Sequence, residues 1–164
     1  MNPSDNQIFV KLDYGRTENQ NRNFRLDLEL YLPGCGITTV FGESGSGKTT
    51  FLRCLAGLEK DANGIVTMKT EIWQNDQIFL ETNLRHVGYV FQEPSLFPHL
   101  TIQGNIQFGL KRRGQIIDSE AFDEIVELLD LRDLLDDYPN QLSGGEKQRA
   151  AIAQAILALS LIHI

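Results

Sequence analysis

Two stretches near the start of the chain alternate between apolar and polar side chains. Apolar residues occupy every second position from Phe24 to Leu32, with mostly charged residues between them, and a weaker alternation runs from Ile8 to Tyr14. A period of two is typical of strands that have one buried and one exposed face. The polar segment Glu18–Asn23 between the stretches indicates a turn. The pattern therefore predicts an antiparallel hairpin.

Short continuous apolar runs change the architecture after this hairpin. Ile37–Phe41 and Val87–Phe91 do not alternate, which is typical of strands buried on both faces of a parallel sheet covered by helices. Ile65–Lys69 and Glu71–Gln74, bounded by the turn signals Asn63-Gly64 and Asn75-Asp76, predict a further antiparallel ribbon. We expect an α/β fold with an incomplete parallel core and an added antiparallel ribbon.

Helical periodicity predicts the remaining elements. A helix follows Lys48 and stops near Gly57, and a small helical subdomain follows Pro98. Its two helices have Thr101 and Ser119 as predicted N-caps. Ser143 and Glu146 have the spacing of a capping box, which predicts a helix to about Leu159. The predicted divisions are 1–91 (ribbon and core), 92–141 (helical subdomain) and 142–164 (last helix and the start of a further strand).

Composition narrows the classes of function. The chain has 164 residues, 41% of them hydrophobic and 23% charged, which fits one soluble domain. Its net charge of −7 provides no general basic field, so we expect no nucleic-acid partner, and any bound phosphate must be held by a local device. Two cysteines without metal or disulfide spacing predict reduced thiols. We expect neither a secretory signal nor a membrane-spanning segment.

One glycine-rich segment has the sequence of a local phosphate-binding loop. Gly42-Glu43-Ser44-Gly45-Ser46-Gly47-Lys48-Thr49 fits G-x-x-x-x-G-K-[ST] between a predicted strand and a predicted helix. In such a P-loop the glycines let backbone N–H groups surround a phosphate, and the neighbouring Thr50 belongs to the same predicted site. Lys48 reaches the β and γ phosphates, and Thr49 can ligate Mg²⁺. The loop alone does not separate GTPases, kinases, helicases, repair ATPases and transporters.

A second glycine-rich segment separates these classes. Leu142-Ser143-Gly144-Gly145-Glu146-Lys147-Gln148-Arg149 places a serine and free glycine amides at a helix start, where an anion can bind. The structural alternative is a simple helix cap. With the P-loop, and with Val90-Phe91-Gln92-Glu93-Pro94 between them, the sequence resembles the ATP-binding subunits of ABC transporters.

This resemblance implies ATP and Mg²⁺ as ligands and ATP hydrolysis as the activity. Lys48 and Gln92 would be catalytic, and Gln92 would also sense the metal. Ser143, Gly144, Gly145 and Glu146 would contact the ATP held by a second subunit in a head-to-tail dimer. The family's other partners are transmembrane permease subunits and, indirectly, a periplasmic solute-binding protein, which implies a peripheral location on the cytoplasmic face of the inner membrane.

The family also stacks adenine on an aromatic side chain near the end of the first strand. Tyr14 is the first candidate and Phe24 the second, and either could instead be a half-buried strand residue.

Within the family, the chain is most similar to the ATPases of molybdate importers. The similarity rests on runs such as Arg85–Gln92 and Ser95–Leu100. Importers of sulfate, phosphate or polyamine remain alternatives, as does a soluble ABC-type ATPase of DNA repair. The net charge and the absence of a coiled-coil insertion disfavour that last class.

The sequence departs from the family's pattern in its last part. No Asp or Glu follows Glu146, so the Walker B acids and the switch histidine of the family are missing from the printed sequence. Gln154 stands where the family usually has an arginine. We therefore expect a chain that stops before the Walker B strand, binds ATP and does not turn it over usefully.

Overall fold

A computed structural model describes residues 6–18, 22–112 and 119–160. Its sheet has four strands, β1 (Gln7–Glu18), β2 (Arg22–Pro33), β3 (Asn63–Met68) and β4 (Glu71–Gln74), in the order β2-β1-β3-β4. All three pairings are antiparallel. The predicted hairpin is confirmed, with Leu12 opposite Leu28, while its turn at 19–21 lies outside the described residues.

The two faces of the hairpin differ as the alternation predicts. Val10, Leu12 and Tyr14 are at most 5% exposed, and the opposite face carries ion pairs. Lys11 Nζ lies 2.8 Å from Glu29 Oε2, and Arg25 Nη2 lies 3.0 Å from Asp13 Oδ2. Because these pairs are exposed, they contribute little to the free energy of unfolding, and the apolar face provides the stability.

The ribbon of β3 and β4 is confirmed, with one difference in its first residues. Asn63 and Gly64, predicted as a turn, are the first residues of β3. Gly64 has a φ of 138°, and a Cβ there would lie 1.9 Å from the Lys11 carbonyl oxygen. A glycine is required because the β1 backbone passes too close for any side chain.

The helix after the glycine loop, α1 (Lys48–Leu55), ends in the predicted way. Gly57 adopts a φ of 75°, its N–H donates to the Cys54 carbonyl, and the Leu58 N–H donates to the Arg53 carbonyl. These two bonds form a Schellman motif, which satisfies carbonyls that the helix itself leaves free.

The predicted parallel strands are wrong for the described part of the chain. Residues 37–41 and 87–91 are irregular, and Ile37 and Phe41 are 98% and 88% exposed. A strand exists only when a neighbour satisfies its N–H and C=O groups, and neither segment pairs with another within the described residues. Residues 37–41 are all exposed, while Val87, Tyr89 and Val90 are half-buried, so neither segment has the predicted burial on both faces.

The chain forms two compact units, Met1–Arg85 and His86–Ile164. The second unit contains α2 (Ile102–Arg112), α3 (Ser119–Leu128) and α4 (Gly144–Ser160), with 3₁₀ turns at Arg132–Leu134 and Pro139–Gln141. Its core is aliphatic and aromatic, and its fully or nearly buried members are Ile102, Ile106, Leu110, Phe122, Ile125, Val126, Leu131, Leu142, Ala150, Ala153 and Leu157. Since α4 shares this core with α2 and α3, the last helix belongs to the same compact unit as the helical subdomain.

The predicted N-cap of α2 is confirmed, since the Thr101 hydroxyl accepts a hydrogen bond from the Gly104 N–H at 3.2 Å. The predicted N-cap of α3 is off by one position, because Ser119 is the first residue of the helix itself. Among the described helices, none is both long enough and apolar enough to cross a bilayer.

Candidate nucleotide-binding site

The glycine loop between residue 42 and α1 has the backbone geometry of a phosphate cradle. Gly45 and Gly47 have φ values of 83° and 93°, which side-chain-bearing residues rarely adopt. The Ser46 N–H donates to the Glu43 carbonyl at 3.2 Å, which tightens the loop into a turn. A Cβ on Gly42 would lie 2.7 Å from Ser46 Oγ. The turn therefore requires glycine at 45 and 47, and at 42 a side chain would have to displace the Ser46 hydroxyl.

Lys48 lies inside the loop that precedes it. Its ammonium donates to the Gly42 carbonyl at 2.9 Å and the Glu43 carbonyl at 2.7 Å, and lies 3.4 Å from Ser46 Oγ. All three acceptors are uncharged. The lysine charge is thus concentrated within the loop at the N-terminus of α1, where an anion is favoured.

Apolar side chains of β2 form one wall of this site. A cavity of about 440 Å³ is lined by Leu26, Leu28, Leu30, Leu32, Phe51 and residues of the segments 38–42 and 46–48. A Cβ on Gly47 would lie 2.9 Å from Phe24 Cζ, so the Phe24 ring contacts the loop directly. Phe24 is half-buried, so part of its ring stays exposed.

Tyr14, the first aromatic candidate, is a core residue. It is 5% exposed, and its hydroxyl donates to Glu59 Oε2 at 3.0 Å. Arg53 Nε donates to the other oxygen of the same carboxylate at 2.5 Å. A ring buried in this way has no free face for stacking, so the structure favours the strand-residue interpretation of Tyr14 and leaves Phe24 as the candidate.

The hydroxyl oxygens at the start of α1, and not a cluster of carboxylates, are the candidate metal ligands of this site. Thr49 is an exposed residue in the first turn of α1, and Thr50 follows it half-buried. Among the described residues, no group of three or more His, Cys, Asp or Glu side chains could hold a metal ion. Mg²⁺ commonly takes one or two protein ligands and completes its shell with phosphate and water, so the Thr49 hydroxyl fits such a site.

The predicted capping box opens α4 in the second unit. Glu146 Oε2 accepts from the Ser143 N–H at 2.7 Å and the Ser143 hydroxyl at 2.6 Å. These bonds hold the pKa of the Glu146 carboxyl below its ordinary value. A Cβ on Gly144 or Gly145 would meet nothing within 4 Å, so both glycines border open space. Glu146 acts as a cap here, and its contact with nucleotide stays a prediction.

Gln92 lies in an exposed bend of the second unit. Tyr89 and Phe91, which precede it, pack edge to face with ring centroids 4.8 Å apart. The residues of the glycine loop come together within the first unit, and Gln92 and the Ser143–Glu146 segment belong to the second. Their roles toward ATP stay predictions.

Sequence reasoning missed two buried polar residues. Arg85 is 3% exposed, and its guanidinium donates to the Leu80, Cys54 and Leu55 carbonyls. Asn105 is fully buried and hydrogen-bonds the backbone of the loop 97–101. Arg85 could not be found from a local pattern, because two of its partners are about 30 residues away, whereas the partners of Asn105 lie only four to eight residues away in the loop that precedes α2.

Taken together, the glycine loop, its lysine and the helix that follows define a P-loop nucleotide-binding protein. The chain belongs to the ABC transporter family, whose model matches residues 26–164. It is 54% identical over 133 residues to the molybdenum import ATP-binding protein ModC of Methylococcus capsulatus. This alignment covers 81% of this chain and 37% of that protein. It is 47% identical over 152 residues to ModC of Pseudomonas fluorescens, covering 92% and 41%. The chain thus spans well under half the length of these relatives.

Solved structures agree with this assignment. The ATP-binding cassette MJ0796, in a dimeric post-hydrolysis state bound to ADP and Pi, matches with a TM-score of 0.76 and 26% identity. A second dimeric structure of that bacterial ABC transporter cassette gives a TM-score of 0.69. Each match covers 93% of this chain and 69% of the other. The α/β, P-loop fold class is confirmed.

Proposed function

We propose that the chain is the ATP-binding part of an ABC importer ATPase for molybdate or a similar oxyanion. The observation that carries this proposal is the position of the Lys48 ammonium, held between two carbonyls of the glycine loop at the start of α1. The names of the relatives support the importer class and the cargo. Sulfate, phosphate and polyamine importers remain alternatives, because the ATPase of an importer does not itself bind the cargo.

Polyphosphate binding follows from the groups that the loop supplies. The amides of Gly45, Gly47 and Lys48 offer N–H donors, and the Lys48 ammonium exchanges its carbonyl acceptors for charged phosphate oxygens. Thr49 would hold Mg²⁺, which neutralises charge on the β and γ phosphates. Phe24 would stack on adenine beside Gly47.

The remaining predicted site residues would act on a second copy of the site. Ser143, Gly144 and Gly145 would donate to the γ-phosphate held by another ATP-binding subunit, as in the head-to-tail dimers of the family. Gln92 would orient the attacking water and sense Mg²⁺. We propose permease subunits as direct partners, a periplasmic solute-binding protein as an indirect one, and a peripheral location at the inner membrane.

A polypeptide limited to these 164 residues would bind ATP without useful turnover. The printed sequence has no carboxylate after Glu146 to bind the metal through water or to polarise the nucleophile. Losing such groups costs several kcal/mol of transition-state stabilisation. Phosphate release at the rate of the uncatalysed background supports this point, and multiple turnover that is lost in Lys48→Ala would contradict it.

Equilibrium binding tests the core of the proposal. Isothermal titration calorimetry with MgATP should give saturable binding to the wild-type chain. Lys48→Ala should weaken binding about 10- to 100-fold, since a hydrogen bond to a charged group is worth about 1.5–3 kcal/mol. Lys60→Ala is the matched control, because Lys60 is exposed and pairs with Glu81 outside the loop. Equal binding by wild type and Lys48→Ala would contradict the proposal.

A further inference from the structure

The phosphate loop contains one carboxylate, and the proposed function gives it no role. Glu43 is the only acidic residue between Gly42 and Thr50, and the first turn of α1 has none. Lys48 is the only base in the same segment. The loop that would receive a highly charged anion therefore has no net charge from its side chains.

The Glu43 carboxylate is close to the position that a phosphate would take. The Glu43 carbonyl oxygen lies 2.7 Å from Lys48 Nζ. Standard bond lengths then place the carboxylate at most about 9 Å from that ammonium, whatever its rotamer. This is less than the Debye length of about 10 Å at 0.1 M ionic strength, so the charge of Glu43 reaches the phosphate site.

Within the described residues, no side chain pairs with this charge. Glu43 is exposed, and its carboxylate makes no hydrogen bond or ion pair with the part of the chain that the structure describes. Some other exposed carboxylates of the first unit have cationic partners, such as Glu29 with Lys11 and Glu81 with Lys60. Lys48 is thus the one charged side chain of the loop that opposes the field of Glu43.

We propose that Glu43 sets the affinity of the phosphate loop and its dependence on Mg²⁺, by repelling nucleotide in proportion to the negative charge of its phosphates. This inference rests on the proposed nucleotide binding. Metal-free ATP carries about four negative charges at neutral pH, and MgATP carries about two. The repulsion therefore selects for the metal-loaded nucleotide.

Coulomb's law gives the size of the effect. At about 9 Å in water-like surroundings and at low salt, removing one negative charge should increase the affinity for metal-free ATP about fivefold to tenfold. The same change should increase the affinity for MgATP about two- to threefold. At about 0.5 M salt both changes should fall below about twofold, because the Debye length shrinks to about 4 Å.

Calorimetric titrations of the full chain with ATP in EDTA and with MgATP test this inference. Glu43→Gln should bind both forms of ATP more tightly than the wild type, by the factors given above, with a larger effect for metal-free ATP. Glu43→Asp keeps the charge and should bind both forms as the wild type does. Asp61→Asn is the control for net charge, since Asp61 is exposed and lies beyond the end of α1. It should change neither Kd by more than about 1.5-fold.

The outcomes separate this inference from the proposed function. If the wild-type chain binds MgATP but Glu43→Gln binds no tighter, the inference about Glu43 is overturned and nucleotide binding stands. A tightening equal for both forms of ATP, or one unchanged by salt, also overturns it, because that result indicates altered packing. If neither chain binds either form, both proposals fail.

Discussion

Replacing Arg85 by methionine should destabilise the first unit. The guanidinium donates from Nε to the Leu80 carbonyl at 2.9 Å and from Nη1 to the Leu55 carbonyl at 2.6 Å and the Cys54 carbonyl at 3.3 Å. Its Cζ also lies 5.6 Å from the Trp73 ring centroid. Arg85 therefore fastens the last turn of α1 to the chain beyond β4.

Two effects of opposite sign set the magnitude. The Cys54 carbonyl keeps its bond from the Gly57 N–H, so the variant leaves the Leu55 and Leu80 carbonyls short of a donor, at about 1–3 kcal/mol each. Against this, the guanidinium is buried without a carboxylate, its Nη2 has no hydrogen-bond partner, and burial lowers its pKa. Removing that desolvation recovers part of the loss. We expect a net loss of about 2–4 kcal/mol in the free energy of unfolding.

Urea denaturation followed by tryptophan fluorescence measures this loss. Trp73 is the only tryptophan and is 1% exposed, so its emission reports the unfolding of the unit that contains Arg85. With a slope of about 2 kcal/mol/M, the midpoint should fall by about 1–2 M. Arg25→Met is the matched control, since Arg25 lies in the same unit and makes only exposed ion pairs with Asp13 and Asp27, and it should barely move the transition.

An unchanged or higher midpoint for Arg85→Met would refute this reasoning. It would mean that the cost of burying an unpaired guanidinium is at least as large as the stabilisation from its three hydrogen bonds, as happens at some buried charges.

Three further predictions concern the other sites. Asn105→Ala should lower the free energy of unfolding of the second unit by about 2–4 kcal/mol, because Asn105 is fully buried and makes four hydrogen bonds to backbone. Denaturant titrations followed by circular dichroism measure this loss, and an unchanged midpoint would contradict it. The lowered pKa of Glu146 means that the capping box stabilises α4 above the ordinary glutamate pKa, and that this contribution is lost as pH falls through the folded-state value. The difference in urea midpoint between wild type and Ser143→Ala should therefore shrink from pH 7 to about pH 3, and a constant gap would count against it. Phe24→Ala should weaken the binding of ATP by about 1–3 kcal/mol and leave the binding of inorganic pyrophosphate unchanged. Equal weakening for both ligands would show that Phe24 only supports the loop.

Local patterns predicted those elements whose stability comes from neighbours in sequence. The hairpin follows from strict alternation, and α4 follows from the spacing of Ser143 and Glu146. The glycine loop was predicted because its positive φ values need glycine at fixed positions. In each case the sequence signal and the physical cause lie within a few residues of each other.

Features that depend on distant partners could not be predicted in this way. The apolar runs 37–41 and 87–91 have strand composition, but pairing requires a neighbouring strand that the described chain does not provide. Tyr14 and Phe24 look alike as aromatic strand residues. Only the fold shows that Tyr14 hydrogen-bonds Glu59 and that Phe24 contacts Gly47. Arg85 is equally unmarked, because two of its three acceptors are carbonyls about 30 residues away in sequence.

The central claim is that the glycine loop recognises the β phosphate of a nucleotide. Comparing ADP with AMP, both with Mg²⁺, in calorimetric titrations of the wild-type chain tests it most directly. The account predicts that ADP binds at least about tenfold tighter than AMP, because only ADP places a second phosphate against Lys48 and the loop amides. It also predicts that Lys48→Ala removes most of that difference. Equal affinities for ADP and AMP, unchanged by Lys48→Ala, would contradict the assignment of this loop as the phosphate-binding site.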